Sequence, residues 1–300
     1  MNLKLSMATA FRSALTLISP ELNTRVCYRV KFKRKIDLNN PKTFNEKLSW
    51  MKLYYYPQNP IFQQCSDKYA VREYIKEQGC EELLIPLIAA YDHVDEIDWD
   101  ALPSSFVMKW NFGSGYNIIC PDKSKLDKEA VLRQMRKWEK KRQYLYYAEL
   151  HGVGIPHKIV VEQYLRPSSG VMPDDYKVYC FNGKAHSVML CQGRDSGEPT
   201  FYFFDRDWNL LRINHAGMAA PADFTIPKPA GLSALFDYAE KLSKPFPYVR
   251  ADFYLIDGKT YFGELTFTPC GGMDSGMPRS LDDMFGELLR LPEPAAKNFK

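Results

Sequence analysis

No two of the seven cysteines stand at the CxxC spacing of zinc sites and redox pairs. An odd number of scattered thiols argues against a disulfide framework or a zinc centre and fits reduced cysteines in a cytoplasmic enzyme. Histidine is scarce, at five residues, and unclustered. Long apolar runs are also missing. The strongest candidate, LLIPLIAAY, contains Pro86 and is too short to span a bilayer. The N-terminal stretch MNLKLSMATAFRSALTLIS carries Arg12 inside its apolar part, which argues against a cleaved signal and for an amphipathic helix. There is no internal repeat and no low-complexity tract. A net charge of +4 is too small to imply nucleic acid.

What is present is a chain that is 45% hydrophobic, enough over 300 residues to bury a large core. Its charge is uneven. Arg25, Arg29, Lys31, Lys33, Arg34 and Lys35 lie close together, and read either as a solvated basic face or as a surface for an anionic polymer or membrane.

The most informative stretch is VRADFYLIDGKTYFGELTFTP, Val249 to Pro269. Two alternating runs flank Asp257-Gly258, a pair suited to the positive φ angles of a tight turn, so the stretch reads as a β-hairpin. With Asp252 opposite Glu264, the side chains of Arg250, Asp252, Glu264 and Thr266 project from one face. Phe253, Leu255, Tyr261 and Leu265 then form the apolar face. A two-residue loop would set Asp252 opposite Gly263 and send the carboxylates to opposite faces, so a three- or five-residue loop, or a bulge, is expected. Two carboxylates beside an arginine suit Mg²⁺ and phosphate chemistry; they equally suit a solvated face with an Arg-carboxylate pair.

Elsewhere, Thr43 and Glu46 form a capping-box pattern that starts a helix at Phe44. A second helix is expected over SDKYAVREYIKEQG, with Ser66 or Asp67 as cap and Gly79 as stop. Lys68 and Arg72 are spaced i, i+4 on it, and from spacing alone are ordinary surface cations. FVMKWNFGSGYNIIC places Lys109 in an apolar strand just before Gly113, Ser114 and Gly115. That is the form of a phosphate-covering hairpin, or of a plain tight turn with a guarding charge. HKIVVEQYL reads as a buried strand, DDYKVYCFNGKAHSVML as a hairpin turning at Asn182-Gly183, and FYFFDRDWNLLRI as another turning at Asp205 to Asp207. Leu232, Leu235, Phe236, Ala239 and Leu242 form one face of a later helix.

The order of these parts resembles the ATP-grasp family, and the wording NPKTFNEKLSWMKLY, DKYAVREY, NFGSGYNIIC, DYKVYCFNGK, FDRDWNLL, FPYVRADFY and FGELTFTP is similar to its TupA-like branch, which is associated with teichuronopeptide and other cell-surface polysaccharide synthesis. The resemblance runs from about Asn40 to about Pro292. It implies an α+β fold in which two antiparallel-sheet subdomains clamp ATP. Residues 1–100 would be a helical N-terminal region, 101–165 the lid subdomain, and 166–300 the C-terminal subdomain with the metal site. It further implies that Lys68 and Lys109 contact ATP phosphates under a lid of Gly113, Ser114 and Gly115, and that Glu162, Gln163 and Leu165 meet the adenine. Asp175 would meet the ribose or a lysine partner. Lys177 would bind phosphate or substrate, and Arg194 and Arg250 would stabilise charge on the transferred phosphoryl group. Asp252 and Glu264 would hold Mg²⁺. Thr266, where many members carry Asn, would be a weaker or water-mediated ligand.

The implied reaction joins a uronic-acid or amino-acid carboxylate to an amine through an acyl phosphate, in the cytoplasm and in reach of the inner membrane face. Two other readings stand beside it. One is a glycosyltransferase using Asp205 and Asp207 as a DxD site; the other is a degenerate clamp that binds without turnover.

Overall fold

The computed structural model describes residues 3–166, 173–193 and 197–293. Helices α1 (Leu3–Ile18) and α2 (Pro20–Phe32) are separated by Ser19, whose hydroxyl accepts a hydrogen bond from the Leu22 amide and caps α2. Helix α3 (Phe44–Tyr54) begins where the capping box places it. The Thr43 hydroxyl accepts from the Glu46 amide, and the Glu46 carboxylate accepts from the Thr43 amide.

The helix expected over Ser66 to Gly79 is broken in two. Helix α4 (Pro60–Ser66) ends before Asp67, and α5 (Val71–Glu77) begins after Ala70. Between them Asp67 Oδ1 accepts from the Tyr69 and Ala70 amides, a local bond that holds the backbone in a turn. Lys68 therefore sits in a turn and not one helical turn before Arg72.

The first sheet is built from β1 (Leu87–Tyr91), β2 (Phe106–Trp110) and β3 (Asn117–Cys120), then, after α6 (Lys128–Glu139) and α7 (Gln143–Tyr147), β4 (Ile159–Gln163). Its order is β1-β4-β2-β3, antiparallel throughout. Phe106, Met108 and Trp110 alternate into a core with Val131 and Met135 of α6, which turns Val107 and Lys109 to the opposite face. Strand β1, which precedes residue 100, pairs with β4 and belongs to this sheet.

The second sheet contains β5 (Asp175–Phe181), β6 (Lys184–Gln192), β7 (Thr200–Phe204) and β8 (Leu210–Leu211). After α8 (His215–Ala219) and α9 (Leu232–Ser243) it is completed by β9 (Tyr248–Ile256) and β10 (Lys259–Thr266). The order is β10-β9-β5-β6-β7-β8. Helix α10 (Arg279–Leu288) follows. The apolar stripe of α9 is buried against the sheet, as its spacing predicts. Phe44 of α3 packs edge-on to Tyr248 and Phe285, so α3 to α5 share one core with this sheet. The molecule is an α+β protein of two antiparallel sheets with a helical N-terminal region.

The β9/β10 hairpin has a two-residue turn, with φ of 50° at Asp257 and 79° at Gly258. A bulge between Phe262 and Glu264 still sets Glu264 opposite Asp252. The bulge also corrects the apolar face. Phe262 pairs with Phe253 and is buried, while Tyr261, expected there, is turned to the other side opposite Tyr254.

Candidate active site

A cleft of about 830 Å³ lies between the two sheets, and most of the side chains singled out from the sequence line it: Lys68, Lys109, Gly113, Ser114, Gly115, Glu162, Gln163, Leu165, Asp175, Lys177, Arg250, Asp252 and Glu264. Thr266 lines an adjoining cavity. Arg194 lies outside the described residues.

On the second sheet the charged side chains form two rows across the strands. Lys177 of β5 is opposite Asp252 of β9, which is opposite Glu264 of β10. In the next row Tyr179, Arg250 and Thr266 are aligned in the same way. Period-two alternation puts both rows on the cleft face. Asp252 is the hub. Arg250 grips it with two bonds of 2.7 Å, Nε to Oδ1 and one terminal nitrogen to Oδ2, and Lys177 Nζ donates to Oδ2 at 2.6 Å. Lys177 also lies 2.7 Å from Asp175. Burial alone would raise the Asp252 carboxyl, but the Arg250 guanidinium and the Lys177 ammonium outweigh it and hold it below the usual range. Glu264 is more open, its side chain 38% exposed and 3.9 Å from Arg250. The Thr266 hydroxyl bridges them, accepting from Arg250 and donating to Glu264 Oε1, each at 3.2 Å.

On the first sheet Lys109 pairs with Glu162 at 2.6 Å, and Arg72 reaches the other oxygen of Glu162 at 3.1 Å. Arg72, an ordinary surface cation by its spacing, is thus an inward-facing part of the site. The Glu162 side chain, expected at the adenine, is committed to these two cations. Lys68 differs from the other cleft cations. Its Nζ donates to the Gly113 carbonyl at 2.5 Å and reaches no carboxylate among the described residues. Burial pulls its pKa down, with only partial relief from the Glu264 charge. The loop it supports needs its glycines: φ is 66° at Gly113 and 79° at Gly115, and a Cβ on Gly113 would come within 2.6 Å of Gln143 Oε1.

The adjoining cavity, about 620 Å³, shares Lys68, Gly113, Ser114, Arg250 and Glu264 with the cleft and extends behind β10. It contains groups that sequence reading missed. Glu149 bonds the Thr268 hydroxyl, and burial pushes its carboxyl up. His151 is buried beside it and pulled down to about 4 by burial, so its imidazole is neutral. Behind the cavity wall, Lys52, fully enclosed, donates to the carbonyls of the lining residues Tyr147 and Gly271, both at 2.8 Å, and is pulled down to about 8 by burial. Lys52 is far in sequence from Glu149 and His151, and the three together form no motif, so no local signal marks them.

The model of the family described as TupA-like ATPgrasp matches residues 46–290. No curated protein matches the sequence. Among solved structures, the chain is similar to D-alanine-D-alanine ligase from Bacillus anthracis, with a TM-score of 0.45 and 18% identity over 82% of this chain and 66% of that one. It is also similar to the Helicobacter pylori D-alanine-D-alanine ligase, at 0.42 and 10% over 84% and 68%. A third is the ADP complex of purK, N5-carboxyaminoimidazole ribonucleotide synthetase, at 0.41 and 15% over 73% and 49%. The chain spans about half to two thirds of the length of these proteins.

Proposed function

Because the chain belongs to the TupA-like ATP-grasp family, we propose that it is an ATP-dependent carboxylate-amine ligase that binds ATP in the cleft between its sheets. The observation that carries this reading is Lys68. A half-buried cation with no carboxylate ion pair among the described residues points at a glycine loop where the cleft meets a second cavity. A phosphate there supplies a counter-charge, and partial desolvation strengthens that attraction. Lys109 contributes from the first sheet, Lys177 and Arg250 from the second, and the loop from Gly113 to Gly115 closes over the phosphates and excludes water. Gln163 and Leu165 lie toward the base, and Asp175 orients Lys177.

The donor set suits Mg²⁺, which takes one or two carboxylates together with phosphate oxygens and water. Asp252 already accepts three hydrogen bonds, so Glu264 is the more open ligand. Thr266, whose hydroxyl is engaged on both sides, reaches a metal only through water. Bound there, Mg²⁺ would offset triphosphate charge.

The second cavity is the place for the co-substrates. A carboxylate oxygen attacks the γ-phosphorus, and ADP leaves. An amine nitrogen then attacks the acyl carbon, loses a proton and expels phosphate. The substrates are a uronic-acid or amino-acid carboxylate and an amine. The setting is teichuronopeptide or other cell-surface polysaccharide synthesis, in the cytoplasm near the inner membrane face. The glycosyltransferase reading loses its site: Asp205 uses Oδ1 to accept the Asp207 and Asn209 amides and Oδ2 to accept the Asn209 side chain, and it lines neither cavity.

Hydroxylamine tests the reaction, since it intercepts an activated acyl group. With ATP, Mg²⁺ and a pool of uronic and amino acids, hydroxamate, ADP and phosphate should appear in equal amounts. Sugar transfer from a nucleotide donor without ATP would overturn the ligase reading, and tight ATP binding without ADP formation would reassign the chain to a binding clamp.

A further inference from the structure

The apolar side chains that this protein leaves in water are concentrated on its first two helices. Eleven large hydrophobic residues are exposed among the described residues, and five of them fall between Phe11 and Val30. Leu17 is 73% exposed, Ile18 76% and Leu22 43%, on either side of the break at Ser19. Phe11, 60% exposed, is two helical turns before Ile18 and shares its face.

These helices are fastened on their other side. The Thr16 hydroxyl donates to the Leu145 carbonyl and the Asn23 side chain donates to Thr16, each at 2.6 Å; the Arg12 guanidinium lies 4.0 Å from the centre of the Tyr146 ring. The exposed face is therefore presented by a docked platform.

Charge is concentrated in the same region. The first 40 residues hold eight basic and two acidic residues, against 32 and 34 in the rest, so the positive excess of the whole chain resides here. Part of the basic cluster is already engaged. Lys31 donates to the Met273 carbonyl, Arg34 pairs with Glu46, and Arg25 pairs with Glu21. Arg29, Lys33 and Lys35 are exposed and reach no carboxylate among the described residues. All of this surface precedes residue 46, where the family match begins.

We propose that α1 and α2 dock the protein on an anionic phospholipid bilayer. Phe11, Leu17, Ile18 and Leu22 enter the boundary between headgroups and acyl chains, and Arg29, Lys33 and Lys35 meet the lipid phosphates. An anionic polysaccharide would satisfy the cations but leave the apolar side chains in water. The combination selects a bilayer. The inference deepens the membrane setting proposed above and makes no use of the ATP cleft.

Co-sedimentation of the full chain with vesicles tests it. Phosphatidylglycerol vesicles should bind at least roughly tenfold more protein than phosphatidylcholine vesicles, and salt should weaken the binding. The double variant Leu17→Ser/Ile18→Ser should lose roughly tenfold or more on phosphatidylglycerol, with an unchanged melting temperature because both side chains are exposed. The triple variant Arg29→Gln/Lys33→Gln/Lys35→Gln should lose binding to a similar degree. Absence of binding, or equal binding to both vesicles, overturns the proposal. Full binding by the Leu17/Ile18 variant that polygalacturonate displaces would reassign the surface to a polyanion. Nucleotide binding by the same samples in solution reports on the ligase reading separately.

Discussion

Asp252 and Glu264 stand opposite each other across β9 and β10 because Gly263 is an extra residue in β10. The two-residue turn at Asp257-Gly258 sets a register that would otherwise place Asp252 against Gly263 and turn Glu264 away, since a one-residue slip reverses every side chain. The bulge restores the meeting at the cost of a tight approach.

That approach is testable at Gly263, where a Cβ would lie 2.9 Å from the Asp252 carbonyl oxygen. Gly263→Val should lower stability by roughly 1 to 3 kcal/mol, the usual range for overpacking. Deleting Gly263 removes the extra residue, so Glu264 still meets Asp252 in a regular ladder and ATP cleavage should survive. Urea melts and ADP release measure the two effects, and an unchanged urea midpoint for Gly263→Val would show that the strands have room to spare.

The two carboxylates should respond differently to loss of charge, although the sequence alone treats them alike. Asp252 is 3% exposed and shared by two cations, so Asp252→Asn leaves Arg250 and Lys177 under-compensated and should cost roughly 3 to 5 kcal/mol. Glu264 is open, and Glu264→Gln should change stability by less than about 1 kcal/mol while removing most Mg²⁺-dependent ATP cleavage. Equal urea midpoints for the two variants would contradict the hub role of Asp252.

Gly113→Val should weaken ATP binding at least roughly tenfold, because the new side chain meets Gln143 and Tyr116 and the positive φ disfavours it. Gly115→Val should be milder, with strain at φ 79° but open space around it. Hydrogen exchange across Asn111 to Asn117 should slow on adding nucleotide and Mg²⁺. Unchanged exchange at saturation would make the loop a structural turn only.

His151 should make the protein sensitive to mild acid. Burial, with help from the Lys52 charge, pulls the imidazole from 6.5 to about 4 in the folded protein. Between those values the unfolded chain takes up a proton that the native state refuses, so stability falls as pH falls through that window. His151→Phe keeps the aromatic contacts to Tyr56 and Phe267 and removes the titration. Urea midpoints at neutral and mildly acidic pH should converge in the variant; if its acid loss equals that of the natural protein, other groups govern this window.

Much of this molecule is legible because its signals are local. The capping box at Thr43 and Glu46, the turns at Asn182-Gly183 and Asp257-Gly258, and the apolar stripe of α9 each depend on residues within a few positions of one another. Most of the expected site residues also meet in one cleft, since their motifs stand in an order that a whole fold family uses. Lys68 left its expected helix through a local contact, because Asp67 bonds the next turn. Elsewhere the deciding contact was distant. Arg72 became part of the site through Glu162, ninety residues away. The place of β1 in the first sheet was set by its partner β4, far along the chain.

By itself, then, the sequence determined which segments become helices and strands, where they turn, and which charged residues face the cleft within each strand, all through backbone preference and period-two or 3.6-residue alternation. Only the tertiary structure decided the register of β10 on β9, the sharing of Asp252 between Arg250 and Lys177, and the enclosure of Glu149, His151 and Lys52 beside the cleft. Those outcomes depend on which distant groups are brought within hydrogen-bonding reach and cut off from water, and neither distance nor desolvation is written in the spacing of residues along a chain.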